Sequence, residues 1–272
     1  MNNERIGFDM SLRQTLDRHP SVKAGLKRLL GPFRQQTSAG YKRLADAERL
    51  PVIDTLKDAW QDDAIPLKQR AGMEQALAAY CAGAQMPNFD VLVDMLRPLA
   101  SNTPGGSLLE VGCSSGYYAD VLAARQVDLR YAGCDFSPAF IALAKHYHPE
   151  LRFDVEDATA LRYADNAFDI VLSGCCLLHI PDYRSAIAET ARVARRHAVF
   201  HRTPVLARHT TRFFTKRAYG VQTVEIHFSE RELVSLFAAS GLRIIGIESI
   251  TSDWRDGDAF AMKTYLCEKK TH

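Results

Sequence analysis

The chain has 272 residues, 47% of them hydrophobic and 24% charged, with a formal net charge of +2, which is enough to bury a sizeable core in one large domain or one domain plus an accessory segment. No apolar run approaches the roughly 20 residues a membrane span needs, and Met1-Asn2-Asn3-Glu4-Arg5 leads into no signal-peptide core, so a cytoplasmic protein without integral membrane contact is expected. The small net charge gives no nucleic-acid signature, and Cys81, Cys113, Cys134, Cys175, Cys176 and Cys267 lack paired C-x-x-C spacing, which points to reduced thiols rather than disulfides or zinc, with no metal site.

Along the first forty residues, Val22, Leu26, Leu29, Leu30 and Phe33 recur at helical spacing among Arg13, Arg18, Lys23, Lys27, Arg28 and Arg34. This predicts a basic amphipathic helix ended near Gly31-Pro32, with a linker over Gln35 to Gly40. From Tyr41 to Leu99 the pattern is helical, interrupted at Pro51, Pro66, Pro87 and Pro98, with no useful strand signal. The segment reads as a helical accessory region over the mouth of a later sheet, from which Trp60, Lys68, Gln69 and Arg70 could reach a ligand carboxylate. The plainer alternative makes Trp60 a core anchor and leaves the others solvated. A turn-rich boundary follows at Ser101 to Gly106.

Leu108-Leu109-Glu110-Val111 then runs into Gly112-Cys113-Ser114-Ser115-Gly116 and on to Tyr117, Tyr118, Ala119, Val121 and Leu122, a strand, a tight turn and a helix. Gly112 and Gly116 permit positive φ, and Ser114 is nearly as small, so a ligand can lie against the main chain at the helix start. The acid precedes the first glycine instead of following about 20 residues on, which separates this turn from the dinucleotide fingerprint. A second strand, Leu129 to Cys134, ends at Asp135, 19 residues beyond Gly116, where a ribose would present two hydroxyls. Phe136 follows, and Ser137-Pro138 is a good helix start. Leu151 to Val155 makes a third strand before Glu156-Asp157-Ala158. Phe168-Asp169-Ile170-Val171-Leu172-Ser173 makes a fourth, leading through Cys175-Cys176-Leu177-Leu178-His179 to a helix capped by Asp182. His197 to His201 is a fifth strand. Ser229-Glu230-Arg231-Glu232 reads as a capping box, and Leu242 to Ile250 and Ala261 to Cys267 as two closing strands.

The run Glu110-x-Gly112-x-Ser114-x-Gly116, with serine at the middle glycine, resembles the first motif of class I S-adenosylmethionine-dependent methyltransferases. The stretch Asn166 to Asp182 is similar to a later motif of the same family. The resemblance covers about 101–272 and implies a Rossmann-like α/β fold: a doubly wound, mostly parallel seven-stranded sheet with its last strand antiparallel, behind an N-terminal helical accessory region over 1–100. It implies S-adenosyl-L-methionine as cofactor and S-adenosyl-L-homocysteine as product. The cofactor positions are Glu110, Gly112, Ser114, Gly116 and Tyr117 for the methionine part, Asp135 and Phe136 for the ribose side, Asp157 and Ala158 for adenine, and Ser173 for the ammonium.

Acceptor chemistry is less specific. His179 and His201 both lie on the ligand-binding edge of such a sheet, and either could take a proton from an attacking hydroxyl or amine. Mere alignment of donor and acceptor would need neither, and a structural histidine remains the alternative for each. The long segment from Thr203 to Phe228 reads as a cap insertion, with Arg202, Arg208, His209, Arg212, Lys216 and Arg217 near Phe213, Phe214 and Tyr219. This favours a small, anionic acceptor, beside the alternative of a solvated basic loop. Methyl transfer to a small molecule is therefore the leading expectation. The rivals are an RNA methyltransferase acting on ribose or a modified base, and a cofactor-binding scaffold without turnover.

Overall fold

The computed structural model describes residues 38–255 and 257–270; the basic amphipathic helix expected before residue 38 lies outside them. The elements run β1 (Ser38–Arg43), α1 (Asp46–Leu56), α2 (Ile65–Cys81), α3 (Pro87–Asn102), β2 (Gly106–Val111), α4 (Tyr117–Ala124), β3 (Leu129–Asp135), α5 (Pro138–Tyr147), β4 (Arg152–Val155) and β5 (Phe168–Gly174). They continue with α6 (Tyr183–Val193), β6 (Ala194–Leu206), β7 (Arg212–Ala218), β8 (Val221–Ser229), α7 (Glu230–Ala239), β9 (Leu242–Arg255) and β10 (Asp258–Lys269).

Ten strands among the described residues join into one sheet; seven of them, in the order β4-β3-β2-β5-β6-β10-β9, make the expected mostly parallel body, and β8 joins it by a short parallel pairing with the end of β6. The strands β4, β3, β2, β5 and β6 pair in parallel, and β10 inserts antiparallel between β6 and β9. The chain builds outward from β2 to β4 and then crosses to β5 on the other side of β2. This leaves a topological switch point at the carboxyl ends of β2 and β5, where open α/β sheets bind ligands.

Buried strands read as continuous apolar runs because both faces are covered. Leu108, Ile170 and Val199 pack with Leu92 and Leu96 of α3 and Val121 of α4. Leu109, Val111 and Val171 pack with Val193 on the opposite face. Helix α3 therefore belongs to the same core as the sheet, and packing continues across the boundary expected near residue 101.

Several local expectations change. Ser38–Arg43 is a strand where a linker and helix were predicted. It pairs antiparallel with β7, so its hydrogen bonds come from residues far along the chain that no local pattern announces. The insertion over 203–228 is an ordered cap rather than a loop: β6 extends to Leu206, and β7 and β8 form a hairpin beside β1. Its two-residue turn, Tyr219-Gly220, has φ of 51° and 95°, as a two-residue primed turn needs. Pro51 and Pro98 lie inside α1 and α3 instead of breaking them, whereas Pro66 and Pro87 open α2 and α3. The capping box does not form. Ser229 makes no side-chain cap, and Glu232 is drawn away by Tyr183, Arg184 and Thr211.

Candidate active site

The turn after β2 is held by backbone pairing to the neighbouring strand. Gly112 N and Cys113 N both donate to Cys134 O, at 2.8 and 2.9 Å, and Ser114 N donates to Asp135 Oδ2 at 2.9 Å. Gly112, Ser114 and Gly116 take φ of 72°, 55° and 75°, so the serine keeps the left-handed conformation that the glycine pattern demands. Such a conformation costs a non-glycine residue about 1–2 kcal/mol. The bond to Asp135 and the contact of Ser114 Oγ with Gln69 Oε1 from α2 help to hold it. Of the four accessory residues expected near the ligand, Gln69 reaches the turn. Arg70 pairs with Asp120 at 3.0 Å, Lys68 donates to Tyr219 O, and Trp60 packs 4.6 Å from the His179 ring.

Asp135 also accepts from Ser137 N at 3.0 Å, while Ser137 Oγ separately caps α5 through Phe140 N. Burial raises its pKa, and the backbone hydrogen bonds pull against that rise. Beside it a cavity of about 460 Å³ is lined by Phe136, Pro138, Val155, Asp157, Ala160 and Gln61 among others. Phe136 is 41% exposed, offering an aromatic face. Asp157 is exposed, with Oδ1 accepting from Thr159 N and Oγ1. Ala158, next to it, is half-buried.

Glu110 sits beneath the turn, 1% exposed, bonded to the Tyr131 hydroxyl and lying against Gly174. Burial pushes its carboxyl well above the usual range, while the Tyr131 hydrogen bond pulls against that rise. A Cβ at Gly112 would stand 2.7 Å from Cys176 Sγ. The Cys176 thiol donates to Val111 O at 3.0 Å and lies 3.2 Å from Ser173 Oγ. The glycine at 112 is thus required by Cys176. Ser173 O, at the end of β5, accepts from Cys175 N at 3.2 Å.

The two histidines part company. His179 ends a short 3-10 turn and its Nδ1–H donates to Val224 O of β8 at 2.8 Å, which leaves Nε2 as the acceptor nitrogen. Burial, aided by nearby Lys216, lowers its pKa to about 4. His201 is 1% exposed, with Nδ1 2.8 Å from Thr264 Oγ1 and its pKa lowered by burial to about 3. It belongs to the sheet interior rather than to an open edge.

Sequence reasoning placed Arg202 in a solvated or ligand-facing basic loop, but its position comes from a bulge. Phe200 and Thr203 of β6 oppose Tyr265 and Lys263 of β10, so His201 and Arg202 together face the single residue Thr264. Arg202 adopts φ 56°, and Cys175 on the adjoining strand φ 60°. Bulges of this kind re-aim side chains beside functional sites. The guanidinium lies among Cys175, Tyr118 and Tyr117. Across the cap, Glu225 accepts from Lys216, from His227 Nε2 at 3.0 Å and from Tyr41 OH at 3.2 Å. No sequence motif signals that cluster, because its members are gathered by strand pairing.

Residues 109–201, which span the turn, the ribose-side acid and the fourth strand, match the methyltransferase domain family. Over that stretch the chain is similar to the class I S-adenosylmethionine-dependent methyltransferases. Ajmaline N-methyltransferase of Rauvolfia serpentina is 35% identical over 94 residues, 32% of this chain and 32% of that protein. Demethylmenaquinone methyltransferase of Renibacterium salmoninarum is 33% identical over 92 residues, 34% of this chain and 38% of that one. The chain therefore spans about a third of the length of these curated relatives. Among solved structures, 1,6-didemethyltoxoflavin-N1-methyltransferase of Burkholderia thailandensis, with bound 1,6-didemethyltoxoflavin and S-adenosylhomocysteine, superposes with a TM-score of 0.50 at 17% identity, covering 76% of this chain and 88% of that one. A methyltransferase from Clostridium acetobutylicum gives 0.52 at 10% identity, over 70% and 94% of the two chains. At these identities the likeness is one of fold. No helix among the described residues is long and apolar enough to cross a membrane.

Proposed function

We propose that the protein moves the methyl group of S-adenosylmethionine to an oxygen or nitrogen of a small, anionic acceptor by in-line displacement. The observation that carries this reading is the arrangement at the switch point: a left-handed turn tied to Asp135, next to a cavity walled by Phe136 and Asp157. The volume of about 460 Å³ lies within the range of small-molecule sites. Asp135 retains lone pairs for ribose hydroxyls, Phe136 and the Asp157-Ala158 segment would hold adenine, and Ser173 O and Tyr117 would meet the methionine part. Because Cys176 covers Gly112, the floor for that part runs from Ser114 to Gly116.

The cofactor supplies a methyl group already made electrophilic by its sulfonium. The protein's task is then alignment, which can contribute on the order of 7–11 kcal/mol to lowering the barrier. His179 is neutral at pH 7, and its Nε2 is the group that would accept the acceptor's proton. His201 is not carried forward, since its ring is enclosed and partnered by Thr264. Arg202, which has no carboxylate partner among the described residues, supports an anionic acceptor.

Calorimetric titration with S-adenosylhomocysteine is expected to give a micromolar Kd, and radiolabelled S-adenosylmethionine is expected to label a small component of a metabolite extract. With that acceptor, His179→Ala should lower kcat about 100-fold while homocysteine-product affinity holds. Absence of binding, or undiminished turnover in the variant, would overturn the respective assignment.

A further inference from the structure

Arg202 is a charged side chain in an enclosed setting with no carboxylate partner among the described residues. Its neighbours are Cys175, Tyr117 and Tyr118. Arg202 Nε is buried and finds no hydrogen-bond partner, and the Tyr118 hydroxyl lies beside the guanidinium, where its oxygen can accept one N–H. A guanidinium carries five N–H donors, so one phenol oxygen leaves most of them for an oxygen ligand. The strand bulge and the left-handed backbone at Arg202 point the same way, because they turn the guanidinium out of the regular alternation.

Charge decides which anion. Lys216 is neutralised by Glu225, while Arg202 has no such partner among the described residues, so a monoanion balances the pocket and a dianion would overshoot. The planar fork of a guanidinium matches a carboxylate, and the rings of Tyr117 and Tyr118, 4.5 Å apart and tilted by 45°, offer aromatic surface beside it. We propose that Arg202, with the Tyr118 hydroxyl, is the seat for the carboxylate of the methyl acceptor, which makes it the residue that selects the substrate. This deepens the methyl-transfer reading above and rests on it.

The test uses the full chain and benzoate as probe, with benzamide as the neutral counterpart, titrated with and without S-adenosylhomocysteine. Benzoate should bind at least about tenfold more tightly than benzamide. Arg202→Gln should abolish that preference, Arg202→Lys should keep part of it, and Tyr118→Phe should reduce it about threefold. S-adenosylhomocysteine affinity within about twofold of the parent certifies that each variant is folded. Equal binding of the two probes, no benzoate binding at all, or a preference that survives Arg202→Gln overturns the proposal. So does an Arg202→Gln variant that loses S-adenosylhomocysteine but keeps 5′-methylthioadenosine, since Arg202 would then hold the donor's own carboxylate. If the unaltered protein favours benzoate yet binds no S-adenosylhomocysteine, the cofactor reading fails while the carboxylate seat stands.

Discussion

The seven-stranded body and the three-stranded cap of β1, β7 and β8 are built on different principles. In the body, the site is made chiefly of main chain: left-handed turn residues, strand-end carbonyls, and two acids, Asp135 and Glu110, that brace the turn. In the cap, charged side chains are buried together, with Glu225 taking hydrogen bonds from Lys216, His227 and Tyr41, the last of these 184 residues away in sequence. The body is arranged to receive a cofactor whose shape does not vary. The cap stands over His179, which donates to Val224 O of β8, and buries Lys216 against Glu225. The difference teaches that main-chain pairing shapes the turn, whereas buried side-chain electrostatics hold the cap together.

The comparison breaks most visibly at Glu225. Glu225→Leu leaves Lys216 and His227 buried without their carboxylate and should destabilise the cap by about 3 kcal/mol or more. Hydrogen exchange should then show β7 and β8 opening while β2, β3 and β5 stay protected; uniform loss of protection would mean that the two regions fold as one unit. Asp135→Ala acts on the body alone. It removes two backbone tethers and the proposed ribose ligand, and should weaken S-adenosylhomocysteine by about 100-fold in calorimetry with the cap's exchange pattern unchanged.

Acid should sharpen the contrast. Burial would raise the pKa of Glu225, but His227 and Lys216 outweigh it and hold the group below the ordinary carboxylate range, while His179 is lowered to about 4. Both folded values are depressed, so both groups contribute stability that is present above their unfolded values and lost as pH falls, beginning below about 6.5 for His179. In the body, His201 acts in the same direction, but Glu110 is raised, and its contribution is present at low pH and lost as pH rises above about 4.5. The two opposing slopes leave the body flatter between pH 4 and 7. Exchange corrected for its intrinsic rate should therefore show the cap loosening first on acidification, and a body that opens first would reverse the assignment. The smallest effect is expected at Ser114→Gly: relief of the left-handed serine and loss of the Gln69 contact oppose each other, for a net change within about 1 kcal/mol in thermal unfolding.

Much of the body was legible because its signals are local. The strand from Leu108 to Val111, the turn to Gly116 and the acid at Asp135 lie close together in sequence, and a strand buried on both faces must be apolar throughout. The capping box at Ser229 misled because Glu232 has better partners in Tyr183, Arg184 and Thr211, which are distant along the chain. The strand at Ser38–Arg43 carries no apolar alternation, and it exists because β7 offers an edge.

The order of apolar runs, small turn residues and strand-end acids determined the alternation of strands and helices, since burial and positive φ restrict which residue types can stand there, and the family resemblance of that order implied the doubly wound sheet. Tertiary structure alone decided that residues 203–228 form a cap with Ser38–Arg43, that His179 rather than His201 stands at its edge, and that Arg202 is turned inward by a bulge. Those outcomes depend on strand pairing and register between segments far apart in the chain, and a register difference of one residue changes which way a side chain points.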